Sequence, residues 1–166
     1  PETLADEHRR PIRLTTLLNG FITVCRSRTA LGYSLAIGTV FGAFVGYLSS
    51  VQQIFQDTFQ VGKWFPYLFA TMALFVGAAS LLNSRIVMRF GMQKIVTLAM
   101  GYSLVVSLVY LAVCLLVDDP GLIGFMLWGT FSFFGFGLVF GNMNALAMES
   151  LGHIAGLGAA VVGFFS

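Results

Sequence analysis

Four long stretches without a single charged side chain divide this sequence. From Arg28 to Asp57, Lys63 to Arg85, Lys94 to Asp118 and Asp119 to Glu149 no Asp, Glu, Lys or Arg intervenes, and each gap holds at least the ~20 apolar residues that a helix needs to cross a bilayer. A fifth apolar run begins after His153 and continues to Ser166. One Arg or Asp at the centre of a membrane helix costs roughly 3 kcal/mol on insertion scales, so charge-free runs of this length are selected for in a membrane and rarely arise in a soluble core. Composition agrees, with charged residues at 10% and apolar ones at 57%. The expected fold class is all-α, a polytopic transmembrane helix bundle. Its spans are expected near residues 30–55, 64–88, 94–117 and 122–148, with a fifth starting at 153 and residues 1–29 standing apart as a cytoplasmic segment.

The loops set the orientation. Arg9, Arg10, Arg13, Arg26 and Arg28 precede the first span, and Arg85, Arg89 and Lys94 separate the second from the third. Only Lys63 lies on the other side, so the positive-inside rule places the N-terminus and the 85–94 loop in the cytoplasm of a bacterial inner membrane. Asp57 with Lys63, and Asp118 with Asp119 and Pro120, then mark the outer loops, and Trp64 and Tyr67 fall where an aromatic interface belt is expected. A net charge of +2, distributed by topology, gives no basic-aromatic groove for nucleic acid. Residues 1–13 are polar with no apolar core beside them, which is not the pattern of a signal peptide. Starting at Pro1 and stopping inside an apolar run, the sequence reads as a fragment of something longer. Cys25 and Cys114 fall near opposite membrane faces and cannot bridge each other.

Ahead of the first span, Leu14, Leu17, Leu18, Phe21, Ile22 and Cys25 recur at helical spacing. This stretch reads either as an amphipathic helix on the cytoplasmic interface, with Arg13, Arg26 and Arg28 near anionic head groups, or as a plain linker. Within the spans, Gly38, Gly42 and Gly46 are spaced by four, as are Gly137 and Gly141, and Gly152, Gly156 and Ala160. Such stripes let helices pack closely in lipid; they serve as fixed contacts or as sliding surfaces. Ser34, Thr39, Thr71, Ser80, Thr97, Ser103 and Ser107 are read as back-bonding to their own helices. Tyr47, Ser50 and Gln53, with Ser49 and Gln52 beside them, form a polar group that belongs against a bundle interior or a wet cavity rather than lipid. Asn142 and Asn144 lie deep enough to need partners, whereas Glu149 sits near the cytoplasmic end.

Enzyme chemistry finds no support. There is no Walker A sequence, and Gly135, Gly137 and Gly141 have the wrong spacing for a dinucleotide loop. His8 and His153 lack ligand-spaced companions, so neither a metal nor a cofactor is expected.

The run Asn83-Ser84-Arg85-Ile86-Val87-Met88-Arg89-Phe90-Gly91-Met92-Gln93-Lys94 resembles the short basic loop between the second and third helices of each half of major facilitator superfamily transporters. Asn-Ser-Arg followed by Arg-x-Gly is similar to the second-half copy in Bcr/CflA-type multidrug:proton antiporters. Pro1-Glu2-Thr3-Leu4 resembles the end of the sixth helix of that family, and Tyr47-Leu48-Ser49-Ser50 the seventh. The stretch from Gly141 to Glu149, with Gly152-His153-Ile154-Ala155-Gly156, resembles the junction of the tenth and eleventh. Two departures are Ser150, where the family usually has proline after the glutamate, and Val51-Gln52, where a proline often follows the serines of the seventh helix.

The resemblance implies part of the C-terminal half of the superfamily fold, in an exporter that moves amphiphilic molecules outward by alternating access, driven by protons. The partners implied are membrane lipid, a small amphiphilic substrate, protons and the N-terminal half of the same protein. Tyr47, Ser50, Gln53, Phe44 and Trp128 are the candidate substrate contacts. Arg85, Arg89, Gly91 and Lys94 are candidates for a cytoplasmic gate, or simply orient the protein. No charged residue lies deep in any span, so a proton-carrying carboxylate belongs to the first half. The competing readings are a carrier of a polar nutrient and a membrane assembly subunit that transports nothing.

Overall fold

The computed structural model describes residues 26–117 and 119–149, together with Ile22 and Gly163. The expected fifth span with Gly152 and Gly156, residues 1–21 with most of the expected interfacial segment, Cys25 and Asp118 lie outside the described residues. What is described is an all-α bundle of four long helices: α1 (Arg28–Gln53), α2 (Phe65–Phe90), α3 (Met92–Leu116) and α4 (Gly121–Glu149). Each is long and apolar enough to cross a membrane.

Helix ends follow local chemistry. The Ser27 hydroxyl caps α1 by accepting from the Ala30 amide at 3.3 Å, satisfying one of the donors that a helix start leaves free. α1 then runs unbroken through Ser49 and Ser50 to Gln53. Past Gln53 the chain loosens into one π-helical turn, Ile54–Thr58, closed by the Phe59 amide on the Ile54 carbonyl at 3.2 Å. Gln56 ties this turn to the next by donating to the Gly62 carbonyl at 3.1 Å. α2 opens with Pro66 in its first turn, where a missing amide proton costs nothing. α4 opens after an Asp119 side chain that accepts from the Gly121 amide at 2.7 Å.

One boundary differs from the sequence expectation. The basic run 83–94, read as a short loop between spans ending near 88 and starting near 94, is helical apart from a single residue, Gly91. α2 continues through Arg85 and Arg89 to Phe90, and α3 starts at Met92. Arginine is a good helix former, and its long stem carries the charge out of the apolar layer, so neither residue ends the helix. The reversal rests on Gly91, whose φ of 78° lies in the left-handed region that a residue with a Cβ rarely enters.

α4 is apolar on every side, as a central helix should be, and it packs against α1, α2 and α3. Two apolar clusters hold it. At the Arg28 end, Ala30, Ile37, Val96, Ala99, Val139, Met143 and Leu146 pack together. At the opposite end, Val51, Phe55, Met72, Phe125 and Phe133 do so. On α1 the positions 30, 34, 37 and 51, with 55 in the π-helical turn that follows, are buried, close to the 3.5-residue repeat of a supercoiled seam. The outer faces are exposed apolar surface, with Leu115 and Leu116 at 78% and 85%, as lipid contact requires.

Candidate functional site

The α2–α4 face is closed by close approach. A Cβ added at Gly137 would sit 2.8 Å from the Ala79 Cβ and 2.9 Å from the Val76 carbonyl oxygen, and one at Gly129 would meet the Met72 sulfur at 2.5 Å. At the end of this face Asn83 and Asn142 exchange amide hydrogen bonds. Asn142 Nδ2 donates to Asn83 Oδ1 at 2.7 Å and to the Leu138 carbonyl at 2.7 Å, and Asn83 Nδ2 donates to Asn142 Oδ1 at 3.4 Å. The deep asparagine expected to need a partner has it in Asn83. Glu149, two turns further on, is exposed.

The other side of α4 is open. Between α1, α3 and α4 lies a cavity of about 390 Å³, bordered by residues 40–47 of α1, 100–107 of α3 and 128–139 of α4. All three segments lie near the middle of their helices, so the cavity sits at mid-height in the bundle. Its walls are mostly aromatic. Phe44 stacks on Phe136 with ring centroids 4.1 Å apart and meets Phe133 edge-on at 5.3 Å. Tyr47 meets Trp128 and Phe133 edge-on at 6.0 and 5.4 Å, and Trp128 stacks on Tyr110 at 5.2 Å. The Tyr47 hydroxyl donates to the Met72 sulfur at 3.6 Å, a weak acceptor.

Three of the expected substrate contacts, Phe44, Tyr47 and Trp128, therefore meet in one cavity. Ser50 and Gln53 do not join them: both are exposed and stand outside its lining. Each three-residue step turns about 60° round a helix, so by Gln53 the side chain points well away from Tyr47. Beside them, the Ser49 hydroxyl turns back to the Val45 carbonyl at 2.8 Å.

The expected back-bonding holds for Thr39, Thr71 and Thr97, which donate to the carbonyls of Leu35, Tyr67 and Gln93 at 2.9, 2.9 and 3.0 Å. It fails for the serines. The Ser34 hydroxyl is fully buried and has no partner among the described residues. Ser80 is exposed without a back-bond, and Ser103 and Ser107 face the cavity, where Ser132 joins them. The four-residue spacing of Ser103 and Ser107 placed them on one helix face; nothing in the sequence said that this face meets an opening.

Of the glycines expected to serve close packing, Gly137 does so. Gly42, Gly46 and Gly141 would meet nothing within 4 Å among the described residues, and Gly38 is half-buried. Gly129 and Gly135, singled out by no stripe, are buried contacts, with Gly135 against Ser103 and the Tyr102 ring.

The basic turn gathers Arg89 and Lys94 on one aromatic ring. Their charged groups lie 5.4 and 5.7 Å from the Phe90 centroid, a cation–π arrangement. Arg85 is exposed on the last turns of α2. A second, polar cleft beside the turn runs between Phe90, Lys94 and Thr97 on one side and Leu146 and Glu149 on the other. Trp64 and Tyr67 are exposed at the start of α2, and Cys114 is exposed with a free thiol. Among the described residues no His, Cys, Asp and Glu cluster could hold a metal ion.

Compared with known proteins, the chain matches no family model and no solved structure. It is similar to an uncharacterized MFS-type transporter, YdgK, of Bacillus subtilis, at 26% identity over 98% of the chain. It is also similar to a bicyclomycin resistance protein homolog of Haemophilus influenzae, at 27% identity over 98% of the chain. The chain spans 40% and 41% of the length of these two relatives. The four membrane-length helices fit a multi-pass membrane protein, and the two similarities are to proteins named as an MFS-type transporter and a bicyclomycin resistance protein homolog.

Proposed function

We propose that this chain is one part of a proton-coupled exporter of drug-like amphiphilic molecules, working by alternating access in a bacterial inner membrane. The observation that carries the reading is the mid-height cavity of about 390 Å³, with aromatic walls and no charged residue in its lining. A site of that volume and character suits a small, mostly apolar ligand held by a few polar groups, and mid-height is where rocking halves hold their substrate. The second relative's name, a bicyclomycin resistance protein homolog, supports export of an antibiotic-like molecule. The chain supplies helices seven to ten, and the N-terminal half closes the cavity from the opposite side.

Phe44, Tyr47 and Trp128 contact the substrate. The proton is carried by the other half, since no Asp, Glu, Lys or Arg falls inside the charge-free gaps of this one. Arg85, Arg89, Gly91 and Lys94 make the cytoplasmic gate, with Lys94 able to leave Phe90 for Glu149 across the shared cleft when the gate closes. A carrier of a polar nutrient would place amide or charged groups in the cavity, and the described residues of its lining include none.

The test is drug susceptibility of an efflux-deficient bacterium expressing the full-length protein, with and without a protonophore. Resistance linked to protonophore-sensitive dye efflux supports the reading. Protein present in the membrane with neither resistance nor efflux across a broad panel overturns it.

A further inference from the structure

We infer that Ser103, Ser107 and Ser132 form a hydroxyl wall that makes the cavity selective for neutral aromatic molecules bearing hydroxyl or carbonyl groups. The inference deepens the transport reading and rests on it for the identity of the site.

Hydroxyls in membrane helices are commonly silenced by bonding to the carbonyl one turn back, and Thr39, Ser49, Thr71 and Thr97 do so at 2.8–3.0 Å. Ser103, Ser107 and Ser132 form no hydrogen bond to the described residues, and all three line the same opening. Ser103 and Ser107 stand one turn apart on one face of α3, and Ser132 comes from the facing helix. Their seat is built rather than accidental. Gly135 lets α3 approach α4 so closely that a Cβ there would collide with Ser103 Oγ and crowd the Tyr102 ring. Phe44 joins them from α1, and Trp128 and Phe136 flank Ser132 one turn to either side on α4.

The cavity thus combines rings that stack with hydroxyls that hydrogen-bond. A hydroxyl both donates and accepts, so the wall suits a ligand carrying alcohol or carbonyl oxygens on a flat aromatic body. Among the described residues no carboxylate lines the cavity, so a permanent cation finds no countercharge from them. Within lipid there is no bulk water to satisfy three free hydroxyls, and a polar ligand or trapped water has to do so.

The experiment uses the purified full-length protein in lipid nanodiscs and two fluorescent probes, naphthyloxy-propanediol and propoxynaphthalene, which differ only in their hydroxyls. Equilibrium binding is compared for the wild type, Ser103→Ala, Ser132→Ala and, as a control off the cavity, Ser80→Ala. The wild type is expected to bind the diol about five-fold more tightly than the ether, the effect of about one net hydrogen bond. Ser103→Ala and Ser132→Ala are expected to remove that preference while leaving ether binding within about two-fold. Ser80→Ala is expected to change neither. Equal wild-type affinity for the two probes, or a preference that survives both cavity substitutions, overturns the hydroxyl wall. Because binding needs no transport, a lost preference in a protein that shows no efflux would leave the wall standing and sink only the exporter reading.

Discussion

The two sides of α4 solve opposite problems with the same helix. Toward α2, Gly129 and Gly137 remove side chains so that Met72, Val76 and Ala79 come to backbone contact, and the Asn83–Asn142 amide pair closes the end. Toward α1 and α3, Trp128, Phe133 and Phe136 add bulk that holds the neighbours apart and leaves about 390 Å³ open. In lipid, apolar burial does not drive helices together; close van der Waals contact and interhelical hydrogen bonds do. The first side has both; the second has close contact at Gly135 and around Ile37, Ala99 and Val139, but it opens at mid-height and no hydrogen bond between side chains crosses it among the described residues. The difference separates a face suited to staying shut from one suited to receiving a ligand and moving.

The sharpest way to break this contrast is to fill the closed face. Gly137→Ala is expected to cost about 2 kcal/mol, because its Cβ would meet backbone atoms of α2 that have nowhere to go. Gly77→Ala, on an open face of α2, is expected to be neutral or to stabilise by a few tenths of a kcal/mol through helix propensity. Unfolding of the full-length protein in mixed micelles measures both. Equal costs at the two positions would mean that α2 and α4 are not in close contact.

Next in size is the amide pair. Asn142→Leu leaves the Asn83 amide facing an apolar side chain and is expected to cost about 1.5 kcal/mol. Replacing both asparagines by leucine is expected to recover part of that loss, since two apolar partners leave no polar group stranded. A double-mutant cycle reads the coupling directly; a coupling of zero would show that the pair holds nothing together.

The closed face was poorly legible in sequence and the open face partly so, for a physical reason. The four helices follow from charge-free gaps, because the cost of burying charge acts on each residue alone. Their ends shifted where that rule is weakest: Arg85 and Arg89 stayed helical, since an arginine near the membrane surface need not break a helix. Phe44, Tyr47 and Trp128, singled out in sequence as polar or aromatic residues of the spans, line one cavity. Ser50 and Gln53 were grouped with Tyr47 by spacing alone, and the turn of the helix took them elsewhere. Gly129, Gly135 and the Asn83 partner of Asn142, 59 positions away, depend on which faces meet. That information lies in pairs of helices and in no single one. The cavity serines belong to the same class: back-bonding is open to each of them locally, and only the arrangement of α3 against α4 leaves them free.

On the open face the expected effects are smaller. Phe136→Ala removes the ring stacked on Phe44 at 4.1 Å, but it enlarges a space that already exists instead of making a new void in a packed layer. The expected cost is about 1 kcal/mol, the worth of an aromatic pair beyond its area. The same unfolding assay checks it. A loss as large as that of Gly137→Ala would mean that the two faces are equally packed and that the contrast is wrong.

Smallest of all on stability is Tyr47→Phe. The phenol gives up a hydrogen bond to a thioether at 3.6 Å, keeps its ring against Trp128 and Phe133, and is expected to lose at most about 0.5 kcal/mol, since sulfur is a weak acceptor. Function is where this substitution separates two roles. If the hydroxyl turns from Met72 toward a substrate, dye efflux by the full-length protein should show a half-saturation concentration raised about three- to five-fold with the maximal rate unchanged, as loss of one net hydrogen bond in binding requires. If it serves only to fasten α1 to α2, efflux should stay as it was. The Met72 bond is weak enough for a better acceptor to displace, so a change in half-saturation with stability intact would identify Tyr47 as a residue of the cavity first and of the scaffold second.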